Sequence, residues 1–195
     1  MQLTKRDVDI LKYVDKFGFV KAASIFSRFG IGAKPGHRRL KTLTNNGYLL
    51  QRKILYNAPG VYMLADEPVK VNVSTFDHDI VLPDIANALT ARYGGEWISE
   101  REIRRDNGFV PHGYRAPDGV LILRDGTEIA VEYEAAMKGS QRLEKILKEY
   151  ASETRFKEVW YIADGESIAK KIKSAGKNLD YVRVFLVQEV LGVDR

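Results

Sequence analysis

Apolar residues in the first 66 positions recur first at helical and then at strand spacing. Val8, Leu11, Val14 and Phe17, widened by Ile10 and Tyr13, follow the 3.6-residue period of a helix, with Thr4 as its N-cap and Gly18 as its stop. A shorter helix is predicted near Lys21 to Phe29, turning Ala22, Ile25, Phe26 and Phe29 inward, before Gly30 and Gly32 break the chain. A third begins around Pro35-Gly36 and runs through His37-Arg38-Arg39-Leu40-Lys41-Thr42-Leu43 to Asn46. Gly47 follows at the C′ position, which favours a positive φ. Tyr48-Leu49-Leu50 and Val61-Tyr62-Met63-Leu64 predict a hairpin that turns at Asn57-Ala58-Pro59-Gly60.

The pattern changes after Asp66. Residues 67–76 are extended and polar, as expected of a connection. A helical segment is predicted from about Asp77 to Tyr93 on Ile80, Val81, Ile85, Ala88 and Leu89, interrupted at Pro83 (either a kink or the first-turn residue of a new helix) and ended by Gly94-Gly95. Trp97-Ile98 is a short apolar stretch, and Ser99 then caps a charged helix from Glu100 to Arg105. Two β-rich runs flank Asp125-Gly126, a strong hairpin signal. In the second run Ile129, Val131 and Tyr133 alternate with Ala130, Glu132 and Glu134. A helix from Ser140 to Tyr150, a strand at Val159–Ala163, a helix at Glu166–Ser174 and a strand at Tyr181–Val187 complete the chain. The expectation is an α/β (α+β) protein with a small helical domain over 1–66, a linker over 67–76 and a mixed-sheet domain over 77–195.

Charge distinguishes the two parts. Positions 1–66 hold 12 basic and 4 acidic residues, whereas the remainder holds 19 and 22. The net charge of +5 is therefore the sum of a strongly basic third and a mildly acidic remainder, which points to a polyanion as partner for the first part. The absence of cysteine removes disulfides, thiolate metal sites and cysteine nucleophiles. No apolar run reaches the length of a membrane span, and no apolar signal core follows Met1. A cytoplasmic protein with no membrane partner is expected.

Three helices followed by a basic hairpin resemble a winged helix-turn-helix. In that family the third helix enters the major groove and the wing touches the neighbouring backbone. The resemblance implies double-stranded DNA as partner, with Arg38, Arg39, Lys41 and Thr42 at the groove and Arg52 and Lys53 on phosphates.

In the second part, pairing across Asp125-Gly126 brings position 118 close to opposite 132–133, so that Asp118 and Glu132 can meet at one end of the hairpin, with Glu134 one step beyond. Carboxylates gathered in this way suit Mg²⁺ or Mn²⁺, with Asp118 and Glu132 as metal ligands and Asp118, Glu132 and Glu134 as catalytic groups. His78 is a further candidate as general base or phosphate contact, and Glu100 as an extra ligand or acid. Pro117-Asp118 on one strand and Glu132-x-Glu134 on the next resemble the PD-(D/E)XK nuclease fold, or restriction-endonuclease-like fold. Glu134 stands where that motif usually carries lysine, as in a Glu-x-Glu variant found in some restriction enzymes. Lys138 and Lys145 are candidates for the missing charge.

Taken over nearly the whole chain, four stretches are similar to the replication-relaxation family of plasmid and mobile-element proteins, which includes MobC-type mobilisation relaxases. They are His78-Asp79-Ile80-Val81, Trp97-Ile98-Ser99-Glu100, Pro117-Asp118-Gly119-Val120 and Val131-Glu132-Tyr133-Glu134. The resemblance implies binding at a transfer or replication origin beside other relaxosome or conjugation proteins, and in some members nicking with a tyrosine holding the cut strand. Tyr114 is the better placed tyrosine, since Tyr133 faces away from the glutamates. Two alternatives stay open: a metal-dependent nickase, or a non-catalytic DNA-binding protein (relaxosome accessory or transcriptional regulator) whose nuclease-like domain serves dimerisation or partner binding.

Overall fold

The computed structural model describes residues 1–105, 115–136 and 139–192. The chain is a mixed α and β protein that divides into two compact units, Met1–Pro83 and Asp84–Arg195. Among the described residues no helix is long and apolar enough to cross a membrane.

The first unit opens with α1 (Lys5–Phe17), where Thr4 and Asp7 form a reciprocal capping box. Its inner face is centred on Asp7, Ile10, Tyr13 and Val14, while Val8 is 38% exposed. The buried stripe is thus rotated by one residue from the apolar pattern, and a carboxylate takes the innermost first-turn position. Strand β1 (Val20–Lys21) precedes α2 (Ala22–Phe29) and α3 (Ala33–Asn45). The hairpin β2 (Leu49–Arg52) and β3 (Val61–Leu64) then pairs back on β1, giving the antiparallel order β1-β3-β2. Helix α3 ends in a Schellman arrangement: Gly47 (φ 74°) donates to the Thr44 carbonyl at 3.0 Å and Tyr48 to that of Leu43 at 3.0 Å.

Ile10, Val14, Val20, Ile25, Leu40, Leu43 and Leu49 form the core between the helices and the sheet. A second cluster joins Phe19, Val61 and Met63 to Phe76 and Ile80. The segment expected as a linker therefore leads into packed structure, and α4 (Phe76–Asp79) belongs to the first unit. Of the two readings of Pro83, the structure shows the new helix: α5 (Leu82–Tyr93) starts afresh after α4 with Pro83 in its first turn.

The second unit is built on a five-stranded mixed sheet of order β4-β5-β6-β7-β8. Strand β4 (Glu96–Ser99) pairs antiparallel with β5 (Gly119–Ile122), and β5 with β6 (Glu128–Glu134). Strands β6, β7 (Glu158–Ala163) and β8 (Val182–Leu186) run parallel. Helix α6 (Glu100–Arg105) follows β4, α7 (Ser140–Ala151) links β6 to β7, α8 (Glu166–Ala175) links β7 to β8, and α9 (Val187–Leu191) ends the fold. Leu143, Ile146, Leu147 and Tyr150 of α7 and Ile168, Ala169 and Ile172 of α8 pack on Ala130, Val159, Tyr161 and Ala163.

The β5–β6 turn has three residues rather than two. Leu123 donates to the Thr127 carbonyl at 2.9 Å, and Gly126 takes a φ of 82°. The register that follows pairs Gly119 with Val131, so Asp118 stands directly across from Glu132.

Gly119 and Gly36 mark close approaches between elements. A Cβ on Gly119 would lie 1.9 Å from the Trp97 ring, and one on Gly36 would lie 2.3 Å from the Phe26 ring. Gly36 is thereby the point at which α3 seats against α2. Gly36→Ala is expected to cost about 1–3 kcal/mol in denaturant unfolding through overpacking, with part of that recovered when Phe26→Leu is added.

Candidate functional site

In the first unit, α3 carries no acidic residue, and its solvent side is a single stripe. Lys34, His37, Arg38, Lys41 and Asn45 are exposed, at the three- and four-residue spacing of one helix face. Arg38 and Lys41 thus stand where the sequence pattern put them. Thr42 is half-buried at the edge of the stripe and donates its hydroxyl to the Arg38 carbonyl at 3.0 Å. Lys34, His37 and Asn45 join this face only when the helix is drawn out. The His37 ring meets Phe26 edge-on at 4.9 Å between centroids. Arg52 and Lys53 are exposed at the start of the β2–β3 loop.

Arg39 differs from its neighbours. It reaches across to α1, where Nε donates to Asp7 Oδ1 at 2.5 Å and Nη2 to Oδ2. Asp7 is 1% exposed and also accepts from the Thr4 backbone N–H and hydroxyl at 2.7 and 2.6 Å. The hydrogen bond from Arg39 is the main cause that holds the Asp7 carboxyl at about 2, below its ordinary value, with Thr4 contributing and burial opposing. Arg39 therefore clamps α3 to α1 and does not belong to the exposed stripe.

In the second unit, Asp118 and Glu132 face each other in register at one end of the β5–β6 pair and Glu134 lies two residues further along β6, but their surroundings differ from those of an open carboxylate cluster. Glu132 is fully buried. Arg115 Nη2 donates to its Oε2 at 2.7 Å and the Tyr150 hydroxyl to its Oε1 at 2.5 Å. Asp118 Oδ2 accepts the backbone N–H of Tyr133 at 2.8 Å, supplying β6 with a partner just beyond the first residue of β5. Glu134 is 6% exposed at the end of β6, and Tyr133 is buried on the opposite face. Burial draws the Arg115 guanidinium down, but Glu132 and Asp118 outweigh it, leaving it above its ordinary value.

Two tyrosines complete this neighbourhood. Tyr161 is the register partner of Glu132 on β7. Burial, and then the Glu132 charge, push both Tyr150 and Tyr161 above the ordinary phenol range, so neither is a phenolate at neutral pH. The Tyr161 hydroxyl and Arg115 Nη1 are buried with no hydrogen-bond partner among the described residues.

Both oxygens of Glu132 are thus engaged, one of them by a fixed cation. Among the described residues no three histidine, aspartate or glutamate side chains are grouped so as to hold a metal ion. The residues in this arrangement do not fit a Mg²⁺ or Mn²⁺ site, because Arg115 already occupies the cation position beside Glu132. Of the other expected participants, Glu100 pairs with Arg104 at 2.6 Å on the surface of α6. Lys145 is 77% exposed on the outer side of α7, near Glu149. His78 belongs to the first unit, where its Nδ1 lies 2.9 Å from Asp79 Oδ1. Lys138 and Tyr114 lie outside the described residues. Arg115, Tyr150 and Tyr161 carry no local motif that marks them in the sequence.

No protein-family model matches this sequence, and no curated protein resembles it closely enough to count as a relative.

Two stability measurements follow from these ion pairs. The depressed Asp7 pKa contributes about 2 kcal/mol of stability at neutral pH, which is present above pH 4 and lost as pH falls through about 2. Asp7→Asn is therefore expected to destabilise the protein at pH 7, with the difference from wild type shrinking below pH 4 in pH-dependent urea unfolding. Arg115→Met leaves Glu132 buried without its cation and is expected to cost about 3–5 kcal/mol. Adding Glu132→Gln should restore much of that loss in the same thermal or urea measurement.

Proposed function

We propose that the first unit is a winged helix-turn-helix that binds duplex DNA, and that the chain is a DNA-binding protein of plasmid or mobile-element mobilisation or replication. The observation that carries this reading is the acid-free, exposed stripe of Lys34, Arg38 and Lys41 on α3, joined by Arg52 and Lys53 at the hairpin. Cations arranged along one helix face suit contact with the backbone phosphates flanking a groove. The element order α1-β1-α2-α3-β2-β3, with β1 completing the sheet, supports the winged-helix assignment. To Pro83 the chain holds 13 basic and 7 acidic residues; beyond it there are 18 and 19. The positive excess therefore belongs to this unit, and the second is close to neutral.

For the second unit we propose a PD-(D/E)XK-like core without metal-dependent activity. The antiparallel run β4-β5-β6 followed by a helical crossover to the parallel β7 supports the fold assignment. The engagement of Glu132 by Arg115 and Tyr150 supports a scaffolding role, in dimerisation or in binding another relaxosome protein. One observation favours the alternative nickase: the unpartnered Tyr161 hydroxyl and Arg115 Nη1 leave polar atoms buried at a cost to stability, as functional sites often do.

Two experiments test these readings. Arg38→Ala/Lys41→Ala is expected to weaken duplex binding in fluorescence anisotropy and to make the dependence of log K on log salt shallower by roughly one unit per lost phosphate contact. Unchanged binding and slope would remove α3 from the interface. With Mg²⁺ or Mn²⁺, the wild type is expected to leave supercoiled plasmid carrying the element's own origin intact. Nicking that disappears in Asp118→Ala and in Glu132→Ala would instead establish the nickase.

A further inference from the structure

The loop joining β2 to β3 divides its apolar residues in an unusual way. Ile54, Leu55 and Ala58 turn inward and pack on the cluster of Phe19, Val61, Met63 and Phe76. The Ala58 N–H donates to the Leu55 carbonyl at 3.3 Å and closes a turn around Tyr56 and Asn57. Tyr56, between these anchors, is 92% exposed, far more than any other large apolar side chain among the described residues. The ring is therefore presented from a turn pinned on both sides. Arg52 and Lys53 are exposed just before it, and no acidic residue occurs from Tyr48 to Ala65.

A fully solvated aromatic ring beside two cations matches the chemistry of a nucleic acid, in which the cations meet phosphates and the ring meets the face of a base. Within an intact duplex the base faces are covered by their neighbours, and only the base edges are open in the grooves. A ring held out from the hairpin gains most where a base has left the stack.

We propose that Tyr56 is a stacking platform for an unpaired base, so that the hairpin engages single-stranded or locally opened DNA next to the duplex held by α3. This rests on the DNA-binding reading of the first unit and specifies the form of DNA it takes. The four polar or aromatic positions Arg52, Lys53, Tyr56 and Asn57 then divide the work: charge for the backbone, a ring for the base, and an amide at the turn. Stacking is tolerant of base identity, so the preference is for strand state and not for sequence.

The test compares a duplex with the same duplex carrying a short unpaired bubble, by fluorescence anisotropy on the full chain. The wild type should bind the bubble more tightly than the duplex by roughly tenfold. Tyr56→Ala should remove that preference while leaving duplex affinity unchanged, and Tyr56→Phe should keep it. Tyr56→Trp should also keep it and report stacking by quenched emission, which is readable because Trp97 and Trp160 are buried. Equal affinity of the wild type for the two DNAs, with duplex binding intact, would overturn the stacking role and leave the DNA-binding reading standing. A bubble preference that persists in Tyr56→Ala would also overturn it. Failure to bind either DNA would overturn the DNA-binding reading itself, and the stacking role with it.

Discussion

A carboxylate taken out of water needs a counter-charge, and each unit of this protein is organised around one such pairing. In the first, Asp7 is closed off by Arg39 and the Thr4 cap. In the second, Glu132 is closed off by Arg115 and the Tyr150 hydroxyl. Removing either arginine would leave a buried charge without compensation, which is far more costly than the pair itself is stabilising. Both pairs join elements distant in sequence, so they fix how helix meets helix and how the approach to β5 meets β6.

The functional picture follows from where these arginines are used. Arg39 and Arg38 are chain neighbours on a basic helix, but one fastens the helix to its support while the other projects to solvent. The exposed stripe can be strongly cationic because the helix beneath it is held by an anion on its inner side. In the second unit the arginine sits among the acids, with Arg115 donating to the buried Glu132 carboxylate. The same physical device, a buried carboxylate paired with an arginine, is thus used in both units.

What the sequence makes legible divides along contact range. The capping box of Thr4 and Asp7, the Gly47 terminus of α3, the Ser99 cap of α6 and the inward face of α7 are local, and their residues announce them. Strand β1 has two residues and exists only because β3 pairs with it, so no pattern within the strand could mark it. The arginine and tyrosine partners of Asp7 and Glu132 lie 32, 17 and 18 positions away, at residues with no motif that assigns them this role. The Glu132/Glu134 alternation is visible as a face of a strand. That a neighbouring arginine occupies that face is a property of the tertiary fold alone.

The turn between β5 and β6 has a consequence beyond its own three residues. A hairpin transmits its turn length along both strands as parity, because each step reverses the side to which a residue points. With three residues in the turn, Asp118 comes to rest opposite Glu132, on the same side of the sheet. Were the same sequence to turn on Asp125-Gly126 alone, Arg124 would pair with Thr127, and Asp118 would stand opposite Tyr133 with its carboxylate toward the other face. Which carboxylates share a side of the sheet is therefore written into an exposed turn that touches none of them, and a one-residue change in where the chain turns would separate them while every acidic residue remained in the chain.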